Sequence, residues 1–202
     1  MIKITNLGKK YGENTLFQDF NLEIENGEYV IIVGKSGHGK TTLLNMIGAI
    51  EPYDTGSIIV NDVDLSMKKN HKNYYRNQVS FLFQNFALIE NKTVLQNLLI
   101  VKKKGVGKDR ILAELAKFGL EDKLNQKVYT LSGGEQQRVA LIRLILQDNP
   151  IILADEPTGS LDSENGAYVL EKLAELNEIG KTIVLVTHDD YVRKQGNRLL
   201  EI

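Results

Sequence analysis

An octapeptide at residues 34–41, Gly-Lys-Ser-Gly-His-Gly-Lys-Thr, constrains the fold more than any other part of this 202-residue chain. It fits the pattern G-x-x-x-x-G-K-[ST], and the apolar run Tyr-Val-Ile-Ile-Val precedes it at residues 29–33. Such a run is typical of a strand buried on both faces of a parallel sheet. Apolar residues at helical spacing follow over residues 41–50. The sequence therefore predicts a strand, a glycine-rich loop and a helix in that order.

This order of elements is suited to phosphate binding. The backbone N–H groups of the loop turn inward, and the helix directs its positive N-terminus at the negative charge. We expect Lys40 to reach the β- and γ-phosphates of a nucleotide, and Thr41 to give its hydroxyl to Mg²⁺. His38 occupies an unconstrained x position of the pattern, so an ordinary structural role is favoured over a role in catalysis. The other residues expected to contact the nucleotide here are Gly34, Lys35, Ser36, Gly37, His38, Gly39 and Thr42.

A second apolar run, at residues 151–154, ends in the adjacent acids Asp155 and Glu156. The carboxyl ends of parallel strands form the ligand-binding edge of an α/β sheet. We expect Asp155 to hold Mg²⁺ and Glu156 to polarise a water molecule for attack on a γ-phosphate. Because Pro-Thr-Gly follows at residues 157–159, a solvated turn is the alternative for this pair taken alone.

Composition narrows the function classes. Lys and Arg number 25 and Asp and Glu 26, which leaves no electrostatic case for bulk nucleic-acid binding. The chain has no cysteine, so disulfides, Cys-ligated zinc and thiol catalysis are excluded. No apolar run approaches the ~18 residues that a membrane span needs, and the N-terminus lacks the apolar core of a signal peptide.

The rest of the pattern predicts an α/β core interrupted by a helical insertion. Asn26-Gly27 is a hairpin signal. From about residue 88 to 147 the periods are helical, with a helix capped by Asp109 and stopped at Gly119. Strands are predicted at residues 2–7, 20–24, 29–33, 56–60, 79–83, 151–154, 181–186 and 197–202, and helices also at residues 135–146 and 164–176.

A third motif, Leu-Ser-Gly-Gly-Glu-Gln-Gln-Arg, occupies residues 131–138. Ser132 and Glu135 have the spacing of a helix capping box. Capping does not explain Gly133 and Gly134 in the first turn, where glycine costs stability. Small residues there let the phosphate of another molecule approach the helix N-terminus.

This third motif resembles the signature motif of ATP-binding cassette (ABC) ATPases, and other positions agree with that family in order. Tyr11 resembles the aromatic residue that stacks on adenine, and Gln84 resembles the Q-loop glutamine, a catalytic and Mg²⁺-contacting position. Asp162, in Ser-Leu-Asp, resembles the D-loop aspartate. His188 resembles the switch histidine that touches the γ-phosphate. Singly, each has an ordinary structural explanation, but the joint order favours the resemblance.

The resemblance implies a P-loop NTPase (RecA-like) fold. It has a mostly parallel core, an N-terminal antiparallel β subdomain and an inserted α-helical subdomain. We expect a single domain over residues 1–202, with residues 1–87 and 148–202 as the core and residues 88–147 as the helical part. It also implies ATP hydrolysis with Mg²⁺, the catalytic residues being Glu156, His188, Gln84 and Lys40. A head-to-tail homodimer would enclose two ATP molecules, with Ser132, Gly133, Gly134, Glu135 and Asp162 at the partner's nucleotide.

Within this family the sequence favours a transporter subunit. The stretch between Thr41 and Leu131 is too short for the coiled coils of DNA-repair relatives, and the chain is too short for two cassettes. Glu156 and His188 argue against a non-catalytic regulator. We expect a separate transmembrane permease, peripheral attachment through it at the cytoplasmic face, and no nucleic-acid partner. Residues 83–97 and 157–162 most resemble the macrolide-exporter, lipoprotein-release and cell-division branch, including small bacteriocin-export ATPases.

The expected cargo of such a transporter is a peptide, an antimicrobial or a lipid-like molecule. An importer subunit and a soluble non-transport ATPase remain the alternatives. Apolar side chains near Gln84 are candidates for contact with the permease: Phe86, Leu88, Ile89 and Leu95. Two basic stretches, at residues 68–72 and 102–104, either face anionic lipid or acidic permease segments, or are solvated loops, and the loops are favoured.

Overall fold

The buried apolar runs form a parallel sheet in the computed structural model of the chain, which describes residues 1–35, 37–189 and 191–202. Within these residues, three short 3₁₀ turns supplement the helices and strands, at Glu121–Lys123, Val128–Thr130 and Val192–Lys194. The helices and strands in chain order are β1 (Ile2–Tyr11), β2 (Asn14–Ile24), β3 (Tyr29–Val33), α1 (Lys40–Ile47), β4 (Thr55–Val60), β5 (Val63–Asp64), α2 (Lys68–Asn77), β6 (Val79–Phe83), α3 (Val94–Leu98), α4 (Lys108–Lys117), α5 (Gly133–Gln147), β7 (Ile151–Asp155), α6 (Ser163–Glu178), β8 (Thr182–Val186) and β9 (Arg198–Glu201).

The parallel sheet has the strand order β6-β7-β8-β3-β9. All five residues of β3 and all five of β8 are buried, as expected for strands covered on both faces. In the register, Ile31 of β3 pairs with Leu185 of β8, and Val184 of β8 pairs with Leu153 of β7. The carboxyl ends of these three strands therefore lie side by side at one edge of the sheet.

A second, antiparallel sheet has the order β2-β1-β4-β5 and covers α1. Its inward residues, among them Ile4 and Ile58, share one apolar core with Leu44 and Ile47 of α1 and with Ile32 of β3. The helix that follows the glycine-rich loop is thus held between the two sheets. The predicted α/β class, with a mostly parallel core and an N-terminal antiparallel sheet, is confirmed.

The helical stretch packs on the opposite face of the parallel sheet. Leu98 of α3, Ile111 of α4 and Leu141 of α5 share a core with Ile31 and Leu185. None of the helices in the described part of the chain is both long and apolar enough to cross a bilayer.

Three local predictions were wrong. Asn26-Gly27 makes no hairpin: it lies in a turn that leads from β2 in one sheet to β3 in the other, while the β1–β2 hairpin turns at Gly12, where φ is +58°. Asp109 does not cap α4, because Gly107 is the N-cap and Asp109 lies in the first turn. Residues 68–72 are helical and belong to α2. Gly119 follows α4 with φ +64°, as its predicted role as a helix stop requires.

Candidate functional site

The glycine-rich loop joins β3 to α1 at the carboxyl edge of the parallel sheet. Gly37 and Gly39 have φ of +83° and +90°, a conformation that side chains with a Cβ rarely adopt. A Cβ on Gly39 would also lie 2.9 Å from the ring of Phe17. The loop conformation therefore requires glycine at residue 39 for two independent reasons. Ser36, predicted to contact nucleotide, lies outside the described residues.

Lys40 is the first residue of α1 and is only 8% exposed. Its ammonium donates to the carbonyl oxygens of Gly34 at 2.9 Å and Lys35 at 3.0 Å. The N-terminus of α1 has no side-chain cap and no acidic residue in its first turn. Its free N–H groups and positive dipole end are thus available to an anion, next to a lysine held inside the loop.

Thr41 and Asp155 meet although they are far apart in the sequence. The Thr41 hydroxyl donates to Asp155 Oδ1 at 3.0 Å. Burial raises the pKa of Asp155, and the charge of Glu156 adds to this, while the hydrogen bond from Thr41 and the charge of Lys40 oppose it. A hydroxyl and a carboxylate suit Mg²⁺, which keeps several water ligands and binds proteins through few oxygens. The described residues contain no cluster of three or more His, Cys, Asp or Glu able to hold a metal, so phosphate and water would supply the remaining ligands.

Glu156, directly after β7, has its carboxylate fixed from two sides. The Thr187 hydroxyl donates to Oε2 at 3.2 Å, and His188 Nδ1 lies 2.7 Å from Oε1. The side chain of Glu156 is 17% exposed, whereas that of His188 is 73% exposed. The backbone of Glu156 has φ +45°, a strained conformation for a residue with a side chain. The carboxylate is therefore held at the sheet edge beside an accessible imidazole.

The third motif forms the predicted capping box at the start of α5. The Ser132 hydroxyl accepts from the Glu135 N–H at 3.3 Å, and Glu135 Oε2 accepts from the Ser132 N–H at 2.8 Å. This backbone hydrogen bond is the largest cause that lowers the pKa of Glu135. A Cβ on Gly133 would meet nothing within 4 Å, whereas one on Gly134 would lie 2.7 Å from Asn165 Oδ1. The first turn is therefore open at Gly133 and closely packed at Gly134.

Asn165 connects this motif to Asp162. Asp162 is the N-cap of α6 and accepts from the Asn165 N–H at 2.8 Å, which is the main cause that lowers the Asp162 pKa. Arg138 of α5 donates to Asn165 Oδ1 at 3.3 Å. No hydrogen bond joins residues 132–135 to the loop at residues 34–41 within the described part of the chain.

Tyr11 and Gln84 make their contacts away from the phosphate loop. The Tyr11 hydroxyl donates to Glu51 Oε1 at 2.9 Å, and Lys9 Nζ lies 4.7 Å from the centre of its ring. Lys9 also forms an ion pair with Glu51 at 2.7 Å. Tyr11 is 49% exposed, so its other face is open to solvent. Gln84 is exposed, with its amide close to Gly159. Of the remaining predicted nucleotide contacts, His38 lies in the loop and Thr42 lies in α1.

Sequence reasoning missed Thr187 and Asn165. Thr187 is fully buried, and its hydroxyl also accepts from the Asp189 N–H at 3.0 Å. The available signal was its place between a buried apolar strand and His188. No comparable signal marks Asn165, because its contacts with Gly134 and Asp162 depend on how α5 and α6 pack.

Comparison with known proteins decides the family. Residues 17–159 match the family model described as ABC transporter. The chain belongs to the ABC transporter family. It is 41% identical over 217 residues to the ABC transporter ATP-binding protein MJ0796 of Methanocaldococcus jannaschii, covering 99% of this chain and 92% of that protein. A dimeric structure of the cassette MJ0796 in a post-hydrolysis state, bound to ADP and Pi, matches with a TM-score of 0.88 at 37% identity, covering 100% of this chain and 94% of that one.

The family membership confirms the predicted P-loop NTPase fold and identifies the chain as an ABC ATPase that binds nucleotide. The chain is also 38% identical over 212 residues to the macrolide export ATP-binding/permease protein MacB of Campylobacter jejuni. That match covers 100% of this chain and 33% of MacB, so the chain spans about a third of the length of this relative. These relatives agree with the macrolide-exporter branch that the sequence predicted.

Proposed function

We propose that this ABC ATPase uses ATP to drive a separate transmembrane permease from the cytoplasmic face of the membrane, without a nucleic-acid partner. The proposed direction is export of a peptide, an antimicrobial or a lipid-like molecule. The name of the MacB relatives, which states both export and a permease, supports this proposal. The alternatives are an importer subunit and an ATPase without a transport role.

In the proposed mechanism the loop at residues 34–41 encloses the phosphates of ATP. Lys40 moves from the carbonyl oxygens of Gly34 and Lys35 to the β- and γ-phosphates, where its charge balances theirs. Thr41 and Asp155 would hold Mg²⁺, which when bound neutralises charge on the phosphates. The elevated pKa of Asp155 fits this role, since a bound cation stabilises the ionised carboxylate that burial destabilises.

The observation that carries the hydrolytic proposal is the fixed carboxylate of Glu156 between Thr187 and His188. An ionised carboxylate at the edge beside the phosphate loop can accept a proton from an attacking water molecule. His188, which is largely exposed, can turn toward the γ-phosphate. Gln84, near Gly159, would bring a further polar group to the water and to Mg²⁺ when the helical part moves.

We propose that two chains enclose two ATP molecules head to tail. Ser132, Gly133, Gly134 and Glu135 would then contact the nucleotide of the partner, and Asp162 would lie at the junction between the two sites. The open space at Gly133 supports an approach by phosphate to this helix N-terminus. Tyr11 would stack on adenine with the ring face that Lys9 leaves uncovered.

The proposed division of the single domain over residues 1–202 places residues 1–87 and 148–202 in the core and residues 88–147 in a helical part. The permease would dock across this boundary. Of the four apolar candidates near Gln84, Ile89 is 44% exposed, while Phe86, Leu88 and Leu95 pack partly against the core. A cleft of about 400 Å³, whose lining includes Ile50, Pro52 and Tyr53, is a further candidate to receive a permease segment.

The test of the hydrolytic proposal is Glu156→Gln, which keeps the size of the side chain and removes its ability to accept a proton. We expect phosphate release to fall by at least about 100-fold, with ATP-bound dimers accumulating in size-exclusion chromatography with light scattering. Glu171→Gln, on the exposed surface of α6, is the matched control and should behave as wild type. Normal turnover by Glu156→Gln would refute the assigned role.

The transport proposal is tested by purifying the chain with its permease from membranes. Recovery of a permease supports the proposal, and a substrate-binding protein in the same complex would favour the importer alternative. Recovery of the chain only with ribosomes or nucleic acid would refute a transport role.

A further inference from the structure

The two basic stretches of the sequence come together in one groove on the surface. Helix α2 contributes one wall and the segment after α3 contributes the other, and the groove between them has a volume of about 540 Å³. No acidic side chain of the described residues lines it. The lining residues are Lys69, Lys72, Asn73, Arg76 and Asn77 from α2, and Lys102, Lys103 and Lys104 from the segment after α3.

Helix α2 presents its cations on one face because of their spacing. Lys69, Lys72 and Arg76 are three and four residues apart, which places them on adjacent turns of the same side. On the other side, Tyr74 is fully buried and its hydroxyl donates to the carbonyl of Ile47 at 2.8 Å. The helix is therefore fixed to α1 with its basic face directed outward.

The cations of the groove are not neutralised by the protein. Among residues 1–35, 37–189 and 191–202, no ion pair within 4 Å involves any of the six Lys and Arg residues that line it. Lys103 is half-buried, and burial is the main cause that lowers its pKa; the charges of Lys181 and Arg76 add to this, against Asp148. Asp148 is itself paired with Lys181 at 2.5 Å. An anion in the groove would thus find concentrated positive charge with little competition.

The groove lies far from the phosphate loop. Asn77 comes just before β6, and Asp148 and Lys181 come just before β7 and β8. These positions are at the amino ends of the parallel strands, whereas the loop at residues 34–41 is at their carboxyl ends. The groove is therefore a second anion-attracting site that does not share residues with the nucleotide site.

Exposed apolar side chains border this basic surface. Leu99 and Ile100, just after α3, are nearly half exposed and are separated from the lysines of residues 102–104 only by the buried Val101. Basic side chains beside exposed apolar ones are the combination that binds anionic membrane surfaces, since the cations attract head groups and the apolar groups enter the interface. Exposed apolar side chains would not contribute to the binding of a free phosphate compound.

We propose that this groove binds the phosphate head groups of anionic phospholipids and lays α2 and the segment after α3 on the membrane surface. The proposal rests on the chain working at a membrane, as in the proposed function. It adds a contact between the ATPase and lipid that does not pass through the permease. Binding to vesicles and ATP turnover are separate measurements, so the failure of one is distinguishable from the failure of the other.

The test is cosedimentation of the full chain with vesicles of phosphatidylcholine alone and of phosphatidylcholine with phosphatidylglycerol at about 3:1. We expect binding only to the anionic vesicles. Each basic residue at such a surface contributes about a fivefold gain in partitioning, so Lys72→Gln/Lys104→Gln should bind about 25-fold more weakly. Lys10→Gln/Lys194→Gln, which removes the same charge from exposed lysines outside the groove, should change binding less than about twofold.

Other results would overturn the assignment. Equal binding of both double variants, or equal binding to neutral and anionic vesicles, would show that the groove is not a lipid site. Saturable binding of inorganic phosphate in calorimetry, with a Kd below about 1 mM, would identify a site for free phosphate instead if it is lost in Lys72→Gln/Lys104→Gln. Binding of an oligonucleotide with no preference for anionic vesicles would identify a nucleic-acid surface. Thermal melting and ATP turnover of both variants confirm that they are folded.

Discussion

Thr187→Val removes one of the two groups that fix the Glu156 carboxylate and changes little else. Valine has nearly the shape of threonine, so the buried position directly after β8 should keep its packing. The loss is the hydroxyl that donates to Glu156 Oε2 at 3.2 Å and accepts from the Asp189 N–H at 3.0 Å. His188 Nδ1, 2.7 Å from Oε1, remains as the second group.

The size of the effect follows from this geometry. A hydrogen bond to a charged group contributes about 1.5–3 kcal/mol. An O–H to O distance of 3.2 Å is longer than the common range, so the low end of that interval applies here. About 1.4 kcal/mol corresponds to a tenfold change in rate. We therefore expect kcat for ATP hydrolysis to fall about tenfold, with KM for ATP changed by less than about twofold because Thr187 acts only through Glu156.

Thr182→Val, at the first residue of β8, provides a matched control. Thr182 is buried, and its hydroxyl accepts from the Gly27 N–H at 2.9 Å, far from Glu156. Both variants lose a buried hydroxyl and leave one backbone N–H without its acceptor, at a cost of about 1 kcal/mol in the free energy of unfolding. Steady-state phosphate release and urea denaturation should therefore show similar stability for the two, but reduced kcat only for Thr187→Val.

Wild-type kcat in a folded Thr187→Val variant would contradict a positioning role for Thr187. An equal loss of kcat in Thr182→Val would contradict it as well, since the effect would then follow from the stability of the fold. A rise in KM with unchanged kcat would place Thr187 in nucleotide binding and contradict its role as a positioning residue for Glu156.

Three further predictions concern stability. Burial raises the pKa of Asp155, so the ionised carboxylate destabilises the folded state. This destabilisation is absent below the pKa of Asp155 in the unfolded chain and grows as the pH rises through its pKa in the folded chain. Asp155→Asn should therefore raise the Tm of the nucleotide-free chain at pH 7 and lose this advantage toward about pH 4. Asp162→Asn should do the opposite in the same thermal melts, since the Asp162 pKa is lowered. Tyr74→Phe should cost about 1 kcal/mol, seen as a Tm about 2–4 °C lower, because its hydroxyl donates to Ile47. The exposed Tyr129→Phe should have no such effect; an unchanged Tm for Tyr74→Phe would contradict the assigned hydrogen bond.

The parts of the fold with strong local signals were predictable. The strands at β3, β7 and β8 are continuous apolar runs because both faces of each strand are covered. The capping box of Ser132 and Glu135 is a contact within four residues, so its pattern is visible in the sequence.

The predictions failed where the local structure depends on contacts between residues far apart in the sequence, or where the sequence shows no apolar periodicity. Helix α2 has Tyr74 as its one buried residue, so it shows no apolar period that would distinguish it from a loop. Asn26-Gly27 favours a tight turn, but a dipeptide does not determine which sheet the following strand joins. The contact between Thr187 and Glu156 depends on β7 and β8 being neighbours, and this is settled by the order of strands in the sheet.

The strand order also fixes the dimensions of the catalytic edge. β8 lies between β3, which carries the phosphate loop, and β7, which carries Glu156. Neighbouring strands are about 4.8 Å apart, so the phosphate loop and Glu156 are attached to backbones separated by about 10 Å. That separation is set by backbone hydrogen bonds of β8 to both neighbours, and core side chains of other shapes would leave it unchanged. Core side chains can therefore be substituted in this fold while the distance between the backbones that carry the phosphate loop and Glu156 stays constant.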